Sequence, residues 1–204
     1  MSWWERQVVP RVTNFCCGLG DVDKLRSPVC EGLHGRVLEV GFGTGHNIRH
    51  YPATVTQIAA IEPSDLSWRM ARTRIASSPV EIRRDGLDGQ RLDLPDDSFD
   101  CALSTFTMCT IPDLGAALTE VRRVLRSEGT LHFVEHGLSP DPKVARRQRQ
   151  FEPLNRRIAG GCRLTRTIDE HIERAGFELA RIERFYDFGP KPFGYIYRGS
   201  AKLS

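Results

Sequence analysis

Val37-Leu-Glu-Val-Gly-Phe-Gly-Thr-Gly-His-Asn47 is the stretch on which the fold turns. An apolar β-type run, residues 36–40, ends in three alternate glycines, Gly41, Gly43 and Gly45, after which the pattern predicts a helix start. Glycine admits backbone torsions closed to other residues and lets backbone N–H groups approach a ligand. A second run, residues 55–61, stops at Glu62-Pro63. Glu62 stands 21 positions after Gly41, near the ~20 expected for an acid at a strand end that accepts hydrogen bonds from ribose hydroxyls. A dinucleotide loop would carry glycine where this chain has His46, and no P-loop lysine follows.

Outward from this loop, apolar runs alternate with helical patterns. Ser64 is placed to cap a helix running to residue 76, with Leu66, Met70 and Ala71 near one face. Residues 80–84 read as a third strand and 99–106 as a fourth, the latter a continuous apolar run suited to a sheet buried on both faces. Leu114, Leu118, Val121 and Leu125 have the spacing of an amphipathic helix that stops near Gly129, and residues 130–134 form a fifth strand. An irregular insertion follows. Thr167 then caps a helix ending at Gly176, and strands at 177–185 and 195–198 flank the turn-rich Phe188-Gly-Pro-Lys-Pro-Phe-Gly194. Such alternation argues for a doubly wound α/β sheet with its ligand beyond the carboxyl ends of the strands. In residues 1–33, Trp4, Val8, Val12, Phe15 and Leu19 follow helical spacing broken at Pro10. The expectation there is two short helices over the sheet edge or ligand mouth, a membrane-surface helix being the other reading.

The 204 residues are 40% hydrophobic and 27% charged, which excludes a disordered, fibrous or polytopic membrane chain. Six cysteines would allow three disulfides. The start Met1-Ser-Trp-Trp-Glu-Arg lacks the features of a secretory signal, and no C-x-x-C pair occurs, so reduced thiols in the cytoplasm are expected. The net charge of +3 conceals an asymmetry. Residues 140–166 hold eight basic residues against two acids, so this stretch is +6 and the remainder −3.

The glycine loop, Glu39 and the Glu62-Pro63 corner resemble the class I S-adenosylmethionine-dependent methyltransferases, and so do residues 87–100, 105–112 and the turn at 124–129. The resemblance implies one domain over residues 1–204 with a Rossmann-like, seven-stranded, mostly parallel sheet and an antiparallel last strand. Its parts would be an N-terminal helical lid (1–33), a cofactor-binding core (34–136), a basic substrate-side insertion (137–166) and a C-terminal helix with strands (167–204). S-Adenosyl-L-methionine would be the cofactor, held by Glu39, Gly41, Gly43, Gly45, Asn47, Glu62, Pro63, Asp88, Gly89 and Thr105. In that scheme Asp88 meets the adenine amino group and the Gly89 backbone the ring.

Further on, Phe106-Thr-Met-Cys-Thr-Ile111, Phe133-Val-Glu-His-Gly137 and Gly160-Gly-Cys-Arg-Leu-Thr-Arg166 resemble bacterial relatives of the methyltransferase-like alkyl-thiol S-methyltransferases. Some of those relatives are phospholipid N-methyltransferases. The resemblance implies a small, partly apolar acceptor, a thiol in the first instance and a phospholipid or quinone in the second, near Thr107, Cys109, Cys162 and Arg166. A module that binds the cofactor without turnover is the reading from another class.

His136, just past a strand end, is either a general base or a structural histidine bonded to backbone. Glu135 either orients the cofactor or insertion or pairs with an arginine, and Cys162 is either a reactive thiol or a buried neutral one. No metal is expected. His132 and His136 would stand roughly 13 Å apart on a strand, and His46 and His50, which could meet on a helix face, lack further ligands at a suitable spacing. Nucleic acid is not an expected partner, because the basic stretch has few interleaved aromatics. Its charges either pair and stay solvated or draw in anionic acceptors or an anionic membrane surface, giving a cytoplasmic protein with peripheral contact.

Overall fold

A computed structural model describes residues 3–187 and 189–204, so Phe188 of the expected turn lies outside the described residues. Four short helices come first: α1 (Trp3–Gln7), α2 (Val9–Cys17), α3 (Gly20–Lys24) and α4 (Ser27–Cys30). The helical spacing predicted two. Pro10 enters the first turn of α2, where its missing N–H costs nothing, and Pro28 does the same in α4.

The sheet is built from β1 (Gly35–Val40), β2 (Val55–Ile61), β3 (Glu81–Gly86), β4 (Phe99–Thr105), β5 (Leu125–His136), β6 (Phe177–Tyr186) and β7 (Tyr195–Leu203). Its spatial order is β3-β2-β1-β4-β5-β7-β6. The first five strands run parallel, and β7 is antiparallel to both of its neighbours. The expected seven-stranded, mostly parallel α/β sheet with an antiparallel last strand is what the chain forms.

Between the strands lie α5 (Asp65–Ala76), α6 (Leu114–Val124), α7 (Pro142–Ile158) and α8 (Ile168–Arg174). Ser64 Oγ caps α5 by accepting from Ser67 N at 3.1 Å, and Asp113 Oδ1 caps α6 by accepting from Ala116 N at 3.0 Å. Alternate β1 residues serve opposite faces. Leu38 and Val40 join Leu118, Phe133 and Ile172 on one side, while Val37 joins Ile58, Ala71, Leu103 and Val134 on the other.

Three local expectations fail for identifiable reasons. After Gly45 there is a single 3-10 turn, Ile48–His50, instead of a helix, because the chain re-enters the sheet at Val55. His46 and His50 consequently face different partners, Asn14 O and Asp23 Oδ1. Leu125 leaves the helix early and opens β5, its spacing continuing α6 by coincidence. The expected irregular insertion contains the 17-residue α7, capped by Asp141 Oδ1 on Lys143 N (2.8 Å) and running through Pro153. Its arginine-rich sequence masks a narrow apolar side of Val144 and Ala145.

Candidate active site

Gly41, Gly43 and Gly45 all lie in the left-handed region, at φ +77°, +60° and +77°. Gly41 is fixed by space as well, because a Cβ there would fall 2.0 Å from Thr107 Oγ1. At Gly43 the nearest atom to a Cβ would be Gly41 O at 3.9 Å, so the surface above the loop is open. Glu62, buried at the end of β2, braces this loop: its Oε2 accepts from Gly43 N and its Oε1 from Ser64 N, both at 2.7 Å. Burial pushes its carboxyl up against the pull of those two amides and of Arg84. Each oxygen keeps a second lone pair for a diol. Pro63 is exposed and shapes the corner before α5.

A buried polar cluster backs the loop. Glu39 accepts from Asn47 Nδ2 at 2.8 Å and from the Tyr51 hydroxyl. Burial drives its carboxyl up to about 7, against the lowering by Tyr51, Asn47 and Arg26. Thr105 Oγ1 accepts from Asn47 Nδ2 at 3.0 Å and from Arg26 Nη1 at 2.8 Å. Arg26, only 4% exposed, also donates Nη1 to Asn47 Oδ1 at 2.7 Å. Its Nε is buried without a hydrogen-bond partner among the described residues. A buried cation with an unspent donor beside an open glycine loop and a carboxylate suits a ligand with an anionic end and a diol. Spacing gives no sign of Arg26 or Tyr51. The one signal for Arg26 is a lone cation in the apolar run Leu25 to Cys30.

On the next strand edge, Asp88 is exposed, and its Oδ1 accepts from Gln90 N and Nε2 at 2.9 and 3.0 Å. Gly89 leans on Val40, whose Cγ1 would stand 3.0 Å from a Cβ.

A second group of candidate residues is assembled on the exit of β4. Phe106 takes φ +55°, a turn that costs a non-glycine residue about 1–3 kcal/mol. It sends three successive amides onto Glu135: Thr107 N and Met108 N to Oε1 at 2.9 and 3.0 Å, and Cys109 N to Oε2 at 3.2 Å. Ser104 Oγ adds a fourth donor at 2.8 Å. Burial raises this carboxyl while the donors oppose it. Glu135, expected among the catalytic groups, is fully buried, and these four donors place it as the anchor of the segment 107–109. Thr107 Oγ1 lies against Gly41 O (3.4 Å) and Thr105 O (3.2 Å), on the glycine-loop side of that segment.

Arg166, expected at the substrate, is instead buried in the wall. It donates to the carbonyls of Met108 and Ile111 and to that of Pro112 at 3.2 Å. Arg163 reinforces it through Ile111 O and Pro112 O at 3.0 and 2.8 Å. Three backbone carbonyls in one turn attract guanidinium forks, which sequence spacing does not reveal.

His136 is half-buried and stacks at 5.0 Å, tilted 46°, on Phe106. Its ring nitrogen, Cys109 Sγ and Cys162 Sγ lie within 4.8 Å of one another. The closeness of the two thiols holds that of Cys162 below its ordinary range and that of Cys109 above it, and His136 lowers Cys162 further. All six cysteines are free. Leu164 and Phe193 complete an apolar wall around the two thiols.

A mostly parallel sheet with this order, a glycine loop closed by an acid at the end of β2, and a buried arginine beside that loop define the class. Residues 38–133 match the family described as "Methyltransferase domain". The chain belongs to the class I S-adenosylmethionine-dependent methyltransferases, and S-adenosyl-L-methionine is its cofactor. It is similar to the thiol S-methyltransferase TMT1B of Homo sapiens, 34% identical over 75% of this chain and 65% of that protein. The mouse protein of the same name is 33% identical over 81% of this chain and 68% of its own length. This chain thus spans about two thirds of these relatives. The crystal structure of YcgJ from Bacillus subtilis superposes with a TM-score of 0.64 at 21% identity, over 80% of this chain and 71% of that one, a likeness of fold.

Two outcomes follow from the geometry. Glu62→Ala should weaken cofactor binding about 10–100-fold, since hydrogen bonds to a charged group contribute roughly 1.5–3 kcal/mol each. Calorimetry would read this, and an unchanged Kd in a folded variant would refute the diol assignment. Glu39 binds its proton more tightly folded than unfolded, so its effect is to lower stability as pH rises from its ordinary 4.5 toward about 7. Glu39→Gln should remove that decline and stabilise the protein above pH 7, as read by urea unfolding across pH; an unaltered pH slope would contradict it.

Proposed function

We propose that this protein transfers the methyl group of S-adenosylmethionine to the sulfur of a small, apolar thiol. The observation that carries the reading is His136, stacked on Phe106 at the C-terminal edge of the sheet beside an apolar wall of Cys109, Cys162, Leu164 and Phe193. The names of the relatives point the same way. Bound cofactor supplies an electrophilic methyl group on a sulfonium. Glu62 and Gly43 would meet its ribose, Asp88 and Gly89 its adenine, and Arg26 with Asn47 its carboxylate end. Displacement is in line, so the protein's main task is to hold the acceptor within about 3–3.5 Å of the methyl carbon. The Glu135-held segment 106–109 and its Arg166 brace make that edge rigid. A thiol of pKa near ~8.5 is a few per cent thiolate at neutral pH, so one imidazole able to take the proton suffices.

Turnover with S-adenosylmethionine, measured by mass spectrometry over alkyl thiols, phenols and amines, should yield methyl thioethers. His136→Asn should lower kcat about 100-fold with unchanged cofactor affinity. Product from amines or phenols alone would overturn the thiol assignment, and cofactor binding without any product would favour a non-catalytic module.

We infer further that the protein works at an anionic membrane surface. Trp3 (67% exposed) and Phe15 (70%) on the first helices and Leu154 (59%), Phe151 and Ile158 on α7 are exposed apolar groups. Trp4 Nε1 donates to Ile158 O at 3.3 Å, which joins the two regions. Lys143, Arg146, Arg147, Arg149, Arg156 and Arg157 are all exposed on α7, a cationic and apolar combination suited to an interfacial helix. No described helix is long and apolar enough to cross a membrane. Co-sedimentation with phosphatidylglycerol vesicles should be strong and lost at high salt. Equal behaviour with neutral phosphatidylcholine vesicles would refute the electrostatic part, and no binding to either would refute the whole.

A further inference from the structure

Among the described residues one group of three soft ligand atoms converges: the sulfurs of Cys109 and Cys162 and a ring nitrogen of His136, all within 4.8 Å of one another. They come from three places, namely the segment after β4, the last residue of β5, and the turn between α7 and α8. Sequence spacing expects no metal here, since the ligands are 27 and 26 residues apart and match no compact ligand motif.

The convergence is fixed by bonds that do not involve the ligand atoms. Arg163 N donates to Cys109 O at 2.9 Å and so ties the two cysteine loops together. Asn155 Nδ2 holds Cys162 O at 2.9 Å from the last turns of α7, and Cys109 N is anchored on Glu135. The His136 ring is oriented by its packing on Phe106. Orientation of ligands by neighbouring groups is what a built metal site requires.

We propose that Cys109, His136 and Cys162 form a three-ligand site for a thiophilic divalent cation of the zinc type, with its fourth position open to an exogenous thiol. Two sulfurs and one imidazole are a soft donor set that disfavours magnesium and calcium. Three protein ligands with one open position is the arrangement of catalytic rather than structural zinc. A tetrahedral site with bonds of about 2.0–2.3 Å sets its ligand atoms roughly 3.5–3.8 Å apart, so loading asks for a contraction of ångström order at side-chain tips. Loading releases the thiol protons of Cys109 and Cys162 to solvent, and the resulting neutral dithiolate unit suits a buried setting better than bare thiolates do. The open position rests on the thiol reading above: an acceptor R–SH would bind as R–S⁻, its proton leaving to solvent. In the loaded protein His136 is a ligand, and the cation takes over the stabilisation of the acceptor thiolate.

The test uses the full chain, stripped by a chelator under reductant and titrated with Zn²⁺ or Co²⁺. About one Zn²⁺ per chain should survive gel filtration, and Co²⁺ should show sulfur-to-metal charge-transfer bands with the visible bands of a tetrahedral site. Both should fall to background in Cys162→Ser and persist in Cys16→Ser, and calorimetry with the cofactor checks that each variant is folded. Should Cys162→Ser fail to fold, the wild-type cobalt spectrum decides alone. Ethanethiol should shift the visible bands; an unmoved spectrum would overturn the open position. No Zn²⁺ retained by the wild type, full loading of folded Cys162→Ser, or a Cys109–Cys162 disulfide that persists under reductant would overturn the site. Loading is read without turnover, so thiol methylation by a protein that takes no metal sinks this inference and leaves the methyl-transfer reading intact.

Discussion

One buried carboxylate organises the edge of the sheet on which the site is built. Glu135 is removed from water, a loss of several kcal/mol for an unpaired ion. Four donors meet it, the Ser104 hydroxyl and the amides of residues 107, 108 and 109. At roughly 1.5–3 kcal/mol for each bond to a charged group, they are of the right size to offset that loss. The same bonds explain the left-handed Phe106, since three amides can reach one carboxylate only after the chain reverses there. With the segment so held, Thr107 presses on Gly41, which is why position 41 tolerates no Cβ. Cys109 is delivered to the other side. The glycine loop and the wall of Cys109 and Cys162 thus meet two sides of one short segment.

Glu39 has the matching role on the neighbouring strand, but its partners come from farther away. Asn47 and Tyr51 hold it from the glycine-loop side, and Arg26 reaches Asn47 and Thr105 from the N-terminal helices. Arg26 therefore couples the ordering of those helices to the loop. Its unpartnered Nε is a desolvation cost that an anionic ligand group would relieve. The first helices are in this sense tied to the glycine loop, although their outer faces are among the most exposed apolar surfaces of the described residues.

The parallel part of the fold was legible because each of its strands announces itself locally: residues 55–61 run to the same boundaries in sequence and structure, and Ser64 caps the helix it was expected to cap. The glycine loop was legible for the same reason. What escaped depends on contacts distant in sequence. Leu125 fits the helical period of α6 and was claimed for a strand by pairing with Phe99. The helix α7 was hidden because its buried stripe is only a few small residues among arginines. Arg166 reads as a ligand-binding cation until the carbonyls of Met108, Ile111 and Pro112 are seen to surround it. Composition and period report on local form, and a charge's partner is set by topology.

The cationic stretch shows the consequence for charge. Of its eight basic residues, the half-buried Arg163 and the buried Arg166 staple residues 108–112 through backbone carbonyls. The other six are exposed, and none pairs with an acid within 4 Å among the described residues. Their field is screened within about 8–10 Å at physiological ionic strength, so it acts on a surface that α7 touches and not on the reacting atoms. One run of like charges therefore divides in two: the inner pair fixes the geometry of residues 108–112, while the outer six can only govern approach. Salt should for that reason alter encounter with an anionic surface without altering the placement of Cys109, since what holds Cys109 is the buried Glu135, with the buried Arg166 on the carbonyl of the residue before it.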